Sequence, residues 1–324
     1  MLSEPHTGES ATLPMPAEVP DRAVLHLSGA DARTLLDNTT TGGISRLSET
    51  NRIVHTGLLT PQGKILFAFF VVQTNDGFLI DTDAASSAPL TARLTMYRLR
   101  SDATIAPARA ATSDTGEDAT GWRVALSDAR PDTLPDGAIA APDPRSDALP
   151  WRLYVPSEAS MPIAPMTPAH VGHVRDIRVR AGVAELGADY ESATTFPHEA
   201  NWDQDGSVDF KKGCFIGQEV VSRTQHKAVA KRRFTRVAAA NGSGTASPLV
   251  TGATITAGPA KIGAITTVAS DGREALAALR LDRAVEAIEA GTAIHAGDAV
   301  IEIAAAALEA YRVAAAANAQ KVGL

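Results

Sequence analysis

The sequence predicts an α+β fold in which sheets carry packed helices and a small antiparallel β-barrel follows near the C-terminus. Two β-rich runs, residues 52–59 and 64–73, flank a Thr-Pro-Gln-Gly sequence, and this turn chemistry predicts a hairpin. Residues 84–100 repeat apolar side chains at helical spacing. After residue 236, short strands alternate with glycine-rich turns, a pattern that is typical of a small barrel.

The remaining elements follow from local patterns in chain order. The predicted strands are residues 22–27, 78–80, 102–109, 122–127, 253–257, 261–268, 274–281 and 299–303. The predicted helices are residues 31–36, 170–182, 218–223 and 304–319. Residues 129–150 are dense in Pro, Asp and Ala, which predicts a surface crossing between two subdomains. The polar segment 182–210 has little periodicity, and long irregular segments of this kind often carry function.

The bulk composition is that of a globular protein, with 44% hydrophobic and 21% charged residues in 324. That length suits two or three packed units. No apolar run approaches the roughly 20 residues of a membrane helix, so no membrane association is expected. Residues 1–20 are rich in Pro, Ser and Glu and predict a flexible N-terminus without a targeting peptide. The single cysteine indicates a reducing compartment, for which the cytoplasm is the expectation.

Charge is distributed unevenly along the chain, whose formal net charge is −7. Residues 211–236 contain eight Lys or Arg and one acidic residue, Glu219, which gives this stretch +7 and leaves −14 for the rest. The overall acidity argues against a general nucleic-acid binder. The local basic field predicts a specific anionic partner, and a solvated surface without a partner is the alternative.

Within this basic stretch, Cys214 is framed by Gly213 and Gly217, which let the backbone turn tightly beside a ligand or partner. It follows Lys211 and Lys212 and precedes a predicted helix start. Neighbouring cations and a helix N-terminus both lower the pKa of a thiol, so Cys214 is a candidate reactive thiolate. The alternative is a buried cysteine that packs as a small apolar residue.

Other chemistries lack the residues they need in this sequence. One cysteine cannot hold an iron–sulfur cluster by itself, since clusters usually need four thiolates. His170 and His173 are three residues apart, but no nearby Cys or His pair completes a zinc site. The sequence has neither a Gly-x-Ser-x-Gly elbow nor a glycine-rich phosphate loop. The residues alone therefore predict a basic, glycine-framed thiol beside an irregular polar segment.

The string Lys-Gly-Cys-Phe-Ile-Gly-Gln-Glu at residues 212–219 resembles the signature of the YgfZ family, Lys-Gly-Cys-Tyr/Phe-x-Gly-Gln-Glu. Its defined positions are Lys212, Gly213, Cys214, Phe215, Gly217, Gln218 and Glu219. Residues 178–182 and 187–190 resemble other sequence motifs of the family, and residues 196–201 fit its Pro-x-Glu-x-Asn pattern. Together with residues 27–32, 61–64 and 263–266, the resemblance spans residues 22–303.

The YgfZ family is similar to the glycine-cleavage aminomethyltransferase, the T-protein. The resemblance implies a T-protein-like three-domain cloverleaf around a central folate cavity, with the small barrel at its C-terminal end. It implies a tetrahydrofolate-binding protein, with a polyglutamylated folate expected, that assists assembly or repair of iron–sulfur clusters in client enzymes or carrier proteins and is linked to tRNA modification. The implied bounds are 1–20 for a flexible N-terminus, 21–236 for the folate-binding region, 237–303 for the barrel and 304–324 for a helical tail.

The same resemblance assigns roles to single residues. Cys214 would be a redox-active thiol or one ligand of a cluster shared with a partner. Glu199 would hydrogen-bond the pterin ring, because its two oxygens can accept from adjacent N–H donors. Arg178 and Asp189 would shape the cavity wall; without the resemblance, Arg178 would be a structural ion-pair former and Glu199 a helix cap. The cations expected at the anionic glutamate tail are Lys211, Lys212 and Arg223.

One comparison separates two related functions. The aminomethyltransferase has Gln-Gly-Gly-Ile-x-Asp-Asp after the first hairpin turn, where an aspartate serves the chemistry at the folate. The matching run here is Gln-Gly-Lys-Ile-Leu-Phe-Ala, so Phe67 and Ala68 occupy the carboxylate positions and cannot accept a proton. A folate-dependent aminomethyltransferase or demethylase is thus the alternative function, and the groups that could replace the aspartate are Asp189, Tyr190 and His198. Direct RNA binding is a third hypothesis, disfavoured because no aromatic sheet motif accompanies the basic stretch.

Overall fold

The structure, a computed structural model, describes residues 12–109, 121–227, 229–240 and 247–322. Within these ranges the strands form two five-stranded sheets and a closed six-stranded barrel. The helices are α1 (Ala32–Thr39), α2 (Ala84–Arg98), α3 (Pro168–Ala181), α4 (Gln218–Lys227), α5 (Leu281–Glu289) and α6 (Ala305–Val322). The strands are β1 (Ala17–Glu18), β2 (Arg22–Ser28), β3 (Ile53–Leu59), β4 (Ile65–Gln73), β5 (Phe78–Asp83), β6 (Thr104–Arg109), β7 (Trp122–Ser127), β8 (Ile139–Ala141), β9 (Trp151–Pro156), β10 (Ala164–Pro165), β11 (Arg232–Ala239), β12 (Thr254–Ala257), β13 (Ala260–Val268), β14 (Glu274–Arg280), β15 (Ile294–Ala296) and β16 (Ala299–Ile303).

The first sheet has the strand order β3-β4-β5-β2-β6, and all of its pairings are antiparallel. The predicted hairpin between β3 and β4 is confirmed, and Gly63 supplies its turn with a φ of +80° that side-chain-bearing residues rarely adopt. Helices α1 and α2 lie on this sheet. Their apolar residues form one core with Leu25, Phe69 and Ile80 of the strands.

The second sheet has the strand order β10-β1-β7-β9-β8 and packs against the first. Phe70 and Leu79 of the first sheet contact the same core as Val124 and Tyr154 of the second. These four side chains are buried because strands with apolar residues on both faces need a partner on each side.

The predicted surface crossing at residues 129–150 is partly wrong. Residues 139–141 form the edge strand β8, and both Asp143 and Leu149 are buried. A polar composition usually indicates a surface segment, but Asp143 is paired with two arginines, and a paired charge can be buried.

The barrel closes in the order β11-β14-β13-β12-β15-β16, which confirms the predicted C-terminal barrel. Alanine and aliphatic residues fill its interior, as expected for a sequence with 5% aromatic residues. The barrel begins with β11 at Arg232, so the basic stretch runs from α4 directly into it. The helix α5 was not predicted; it follows β14 and packs against α6.

The segment between the second sheet and the barrel positions the predicted site residues. The helix α3 ends at Gly182, whose left-handed φ of +72° explains why a glycine terminates it. Residues 183–217 then contain neither a helix nor a regular strand, which includes most of the irregular segment predicted at residues 182–210. Tyr190 and Trp202 of this segment are buried in a core shared with the β3–β4 hairpin, α4 and the barrel. In the described ranges, no helix is long and apolar enough to cross a membrane.

Candidate functional site

The signature segment, residues 212–219, docks on the β3–β4 hairpin turn through two glycines. Gly217 has a φ of +79°, and a Cβ added there would lie 2.6 Å from the carbonyl oxygen of Thr60. Gly63 lies opposite in the turn, where an added Cβ would lie 2.9 Å from the Cβ of Val220. Both positions favour glycine, because each has a positive φ and an added Cβ would meet the facing segment at less than 3 Å.

Lys212 anchors the same segment to the loop after α1. Its Nζ donates to the carbonyl oxygens of Thr40 at 2.8 Å and Gly42 at 2.9 Å, and it lies 3.8 Å from a carboxylate oxygen of Asp37. Only 4% of the Lys212 side chain is exposed, and this burial lowers its pKa to about 8. The ammonium group thus holds the signature segment against the loop after α1.

Cys214 is exposed, which excludes the alternative of a cysteine buried as an apolar residue. The backbone at Gly213 has open space beside it, since no other atom lies within 4 Å of an added Cβ. Lys211 is also exposed. Arg223 pairs with Glu219 on the outer surface of α4, where their side chains are 67% and 84% exposed. The thiol therefore lies on an accessible surface of mixed charge.

A recess of about 410 Å³ lies beside α4 and is lined by Glu199. The Oε2 atom of Glu199 accepts from the backbone N–H of Phe196 at 2.9 Å, as a capping carboxylate does, and Oε1 accepts no hydrogen bond from the described residues. Phe196 and Val220 form an apolar part of the wall, and Lys231 and Arg232 form a basic part. Neither cation forms an ion pair with a residue that the structure describes.

His198 lines both this recess and a smaller one of about 200 Å³. Its Nε2 lies 3.0 Å from Oε1 of Gln225, whereas the buried Nδ1 has no hydrogen-bond partner in the described part of the chain. Burial lowers the pKa of His198, so its ring is neutral near pH 7. The lining of the two recesses by His198 therefore comes from other atoms of the residue, because Nδ1 is buried.

Arg178 and Asp189 are brought together as a buried ion pair, and neither residue lines the recess. Asp189 also accepts from Thr266 Oγ1 at 2.7 Å, from Thr267 Oγ1 at 2.6 Å and from the backbone N–H of Glu185 at 2.9 Å. Both threonines belong to β13, so this pair ties α3 and the irregular segment to the barrel. The geometry matches a structural ion pair.

The pair continues into a buried chain of alternating charges that the sequence analysis missed. In order, the members of this central charged chain are Asp189, Arg178, Glu185, Arg145, Asp143, Arg152 and Asp81. The links after the Asp189–Arg178 pair measure 3.4, 3.1, 2.8, 3.7 and 2.5 Å. Arg22 joins the far end, 2.6 Å from Asp81. The formal charges of four acids and four arginines thus cancel at the place where the two sheets, α3 and the barrel meet.

The arginines lower the pKa of three acids of the central charged chain, Asp81, Asp143 and Glu185. Burial opposes ionisation of Asp81, but Arg22 and Arg152 outweigh it and hold the pKa of Asp81 below its usual value. The guanidinium of Arg152 also lies on the Phe70 ring, 3.8 Å from its centroid. Glu185 is desolvated by its surroundings although 41% of its side chain is exposed, and its arginine neighbours lower its pKa.

The two positions that carry aspartates in the aminomethyltransferase pattern are apolar packing sites here. Phe67 is buried in the core of the first sheet, and Ala68 packs against the core that holds Trp202. A different acid of the irregular segment, Asp205, was not singled out from the sequence. Burial raises the pKa of Asp205 to about 6, and its Oδ1 accepts from the backbone N–H of Ser207 at 2.8 Å.

Comparison with known proteins gives relatives by sequence and by structure. The chain is 32% identical over 220 residues to the iron-sulfur cluster assembly factor IBA57 homolog, mitochondrial, of Pyricularia oryzae, across 66% of this chain and 54% of the relative. It is 30% identical over 229 residues to the protein of the same name from Neurospora crassa, across 66% of this chain and 51% of the relative. The chain spans about half the length of these curated relatives. No family model matches it.

Among solved structures, the chain is similar to the glycine cleavage system aminomethyltransferase T from Bartonella henselae. The TM-score is 0.65 at 13% identity, and the match covers 89% of this chain and 84% of that chain. This likeness confirms the predicted fold class, an aminomethyltransferase-like α+β fold with a C-terminal barrel.

The expected cytoplasmic location is wrong by this comparison, because the curated relatives are named as mitochondrial proteins. The expectation rested on a single cysteine, which indicates a reducing compartment without saying which one. The resemblance itself is confirmed by relatives: in sequence the chain is similar to the iron-sulfur cluster assembly factors named IBA57 homologs, and its fold is that of the aminomethyltransferase.

Proposed function

We propose that this protein binds tetrahydrofolate and assists assembly or repair of iron–sulfur clusters in client enzymes or carrier proteins, and that it supports tRNA modification through such clients. The observation that carries the proposal is the signature thiol. Cys214 is exposed on a segment that Lys212 and Gly217 hold in place. The name of the curated relatives, iron-sulfur cluster assembly factor, supports the same role.

In this proposal Cys214 is one ligand of a cluster in transit. One thiolate cannot complete the ligand set of a cluster, so a carrier or client protein supplies the others. The signature segment is already docked on the hairpin turn and on the α1 loop, so little conformational freedom is lost when a partner arrives. An exposed thiol on a fixed segment suits a ligand that must be shared and then released.

The recess beside α4 fits folate in size and charge. Its volume of about 410 Å³ lies within the range of small-molecule sites. Glu199 Oε1, which accepts no hydrogen bond from the described residues, would accept a pterin N–H. Lys231 and Arg232 would bind the glutamate tail, in place of the surface cations first expected there. When bound, tetrahydrofolate would supply a reduced pterin ring beside α4.

The alternative of an aminomethyl transfer reaction gains no support from the candidate replacement groups. Asp189 is occupied by Arg178 and two threonine hydroxyls. Burial raises the pKa of Tyr190, so its phenol stays protonated near pH 7 and cannot accept a proton. In His198, Nε2 is bonded to Gln225 and Nδ1 is buried, so neither ring nitrogen is presented to a substrate. A carboxylate base at the position of Phe67 or Ala68 is missing from the sequence.

The role of the thiol is tested by complementation. A cell line that lacks its own related assembly factor is given the wild-type chain, Cys214→Ser or the control Arg223→Ala, and the activities of its iron–sulfur enzymes are measured. We expect Cys214→Ser to be expressed and folded but to restore little activity, whereas Arg223→Ala restores it, because Arg223 is paired on the outer surface. Full rescue by Cys214→Ser would contradict the proposal.

Folate binding is tested separately by calorimetric titration with tetrahydrofolate in its mono- and polyglutamate forms. Glu199→Gln removes the charge that accepts the pterin N–H and should weaken binding at least about tenfold. The control Glu219→Gln, on the outer surface of α4, should bind as the wild type does. If neither folate form produces heat, the folate part of the proposal fails, while the thiol part stands or falls with complementation.

A further inference from the structure

The turn after α2 holds a leucine in a conformation that favours glycine. Leu99 has a φ of +48° and a ψ of −105°, and the N–H of Ser101 donates to the carbonyl oxygen of Arg98 at 2.8 Å. This geometry is close to that of a type II′ turn, in which the first central residue needs a positive φ and is usually glycine. A leucine at this position costs conformational free energy that a glycine would not.

The strain is combined with exposure of the side chain. Leu99 is 84% exposed, and Met96, in the preceding turn of α2, is 55% exposed. A shallow hollow of about 650 Å³ lies beside Leu99 and is also lined by Arg100, Ser101 and Asp31. An exposed apolar side chain in a strained turn adds little to the stability of the fold, and strained residues often cluster at sites of interaction.

Arginines flank these apolar side chains. Arg93 lies three residues before Met96 and so projects from the same side of α2. Arg93 and Arg100 form no ion pair with the residues that the structure describes, although the chain as a whole carries a net charge of −7. Two unpaired cations in an acidic protein present a surface that attracts carboxylates from outside.

We propose that this α2 tip, formed by Arg93, Met96, Leu99 and Arg100, docks an acidic segment of a partner protein. An apolar side chain of that segment packs on Leu99 and Met96, and its carboxylates bind the two arginines. The site is separate from the recess and from the signature segment, since none of its residues belongs to either.

A partner protein is favoured over a membrane surface by the acids beside the tip. Asp102 is exposed in the next turn, and Asp31 lines the hollow, where its carboxylate accepts from the backbone N–H of Asp102 at 2.8 Å. These carboxylates would repel a continuous sheet of anionic headgroups. A peptide can place its own acids over the arginines and keep them away from the carboxylates of Asp31 and Asp102.

The test combines stability with binding, because the proposal predicts opposite signs for the two. Leu99→Gly and Leu99→Asn relieve the backbone strain and should raise the melting temperature of the full chain. The same substitutions remove the apolar contact. They should weaken binding of a fluorescein-labelled peptide of Glu-Glu-Leu repeats at least about tenfold in fluorescence anisotropy. Arg93→Glu should weaken this binding to a similar extent.

The matched control is Val313→Asn, which removes another exposed apolar side chain, 60% exposed on α6, without strain. It should leave peptide binding unchanged. The proposal is overturned if the wild-type chain does not bind the peptide at millimolar concentration, or if Leu99→Asn binds as tightly as the wild type. It is also overturned if the wild type binds vesicles of phosphatidylcholine and phosphatidylglycerol through Leu99 and not the peptide, which would identify a membrane surface instead.

Discussion

The signature segment and the central charged chain use charged residues in opposite ways. In the signature segment, Lys212 donates to two backbone carbonyls and docks the loop, so that Cys214 stays exposed. In the central charged chain, every arginine has a carboxylate neighbour, and the acids at both ends are fully buried. The first arrangement presents a group to the outside, and the second joins separate parts of the fold.

This difference shows why a short motif and a fold need different kinds of sequence information. The signature can be recognised from eight consecutive residues, although its lysine and glycine contact loops that are distant in the sequence, at residues 40–42 and 60–63. The charged chain depends on residues from four separate parts of the sequence, including Asp81 in β5 and Arg152 in β9. We therefore expect a single substitution to lower the free energy of unfolding more in the central charged chain than in the signature segment.

The largest effect is expected for Arg152→Met. This substitution keeps much of the side-chain volume but leaves the buried carboxylates of Asp81 and Asp143 with fewer compensating charges. Removing one partner of a buried ion pair typically costs about 3–5 kcal/mol, which we expect as a loss in the free energy of unfolding. Urea denaturation followed by circular dichroism measures it.

The control for this prediction is Arg283→Met, which breaks a pair with Glu286 whose side chains are 56% and 63% exposed. A change within about 0.5 kcal/mol is expected, because exposed pairs contribute little. The comparison fails if Arg152→Met costs no more than Arg283→Met. In that case the central charged chain would not join the parts of the fold.

A smaller effect is expected for Gly217→Ala in the signature segment. The new Cβ would lie 2.6 Å from the Thr60 carbonyl oxygen, at a φ of +79° that alanine tolerates poorly. Strain of this kind costs about 1–3 kcal/mol, and we expect the segment to undock partly. Limited trypsin cleavage after Lys211 and Lys212 should become faster, and the free energy of unfolding should fall.

Gly213→Ala provides the matched control in the same segment, because no atom lies within 4 Å of its added Cβ. Its free energy of unfolding should change by less than about 0.5 kcal/mol. Equal effects of the two substitutions would show that the signature glycines do not differ in their structural roles.

The hairpin, the end of α3 and the importance of Cys214 could be predicted from local sequence patterns, but the exposure of Cys214 and the central charged chain could not. The turn sequence before Lys64 and the glycine after α3 determine backbone conformations directly, so the hairpin and the end of α3 were predicted correctly. Residues 143–145 were read as part of a surface crossing because Asp and Pro are usually exposed. Their burial depends on Arg152 and Glu185, and no periodicity connects such distant residues.

Contacts between residues that are distant in the sequence also explain why only some residues of the candidate site were predicted. The resemblance singled out Glu199, which the structure places in a recess, and Lys212, which it places in the docking of the signature segment. The cations of the recess, Lys231 and Arg232, lie in the same basic stretch but were not selected. Sequence alone gives their charge, whereas only the position of β11 beside α4 brings them to Glu199.

The smallest expected effect concerns the pH dependence of the Lys212 anchor. Its pKa in the folded protein is about 8, below the ordinary value of 10.5, because burial disfavours the charged ammonium. Between these two values the unfolded chain binds more protons than the folded one, so this group makes stability rise as pH rises. Burial of the charged ammonium destabilises the folded protein. This destabilisation is fully present below pH 8 and disappears above about pH 10.5.

The Lys212→Met variant isolates this contribution, because methionine has no charge to titrate. The free energy of unfolding of the wild type relative to Lys212→Met should rise by about 1 kcal/mol between about pH 7 and about pH 9. Urea denaturation at both pH values measures the difference, and Lys261→Met, at an exposed position of β13, serves as the matched control. A flat difference would mean that the ammonium of Lys212 is hydrated in solution. The signature segment would then be held by its glycine contacts with the hairpin turn and not by its lysine.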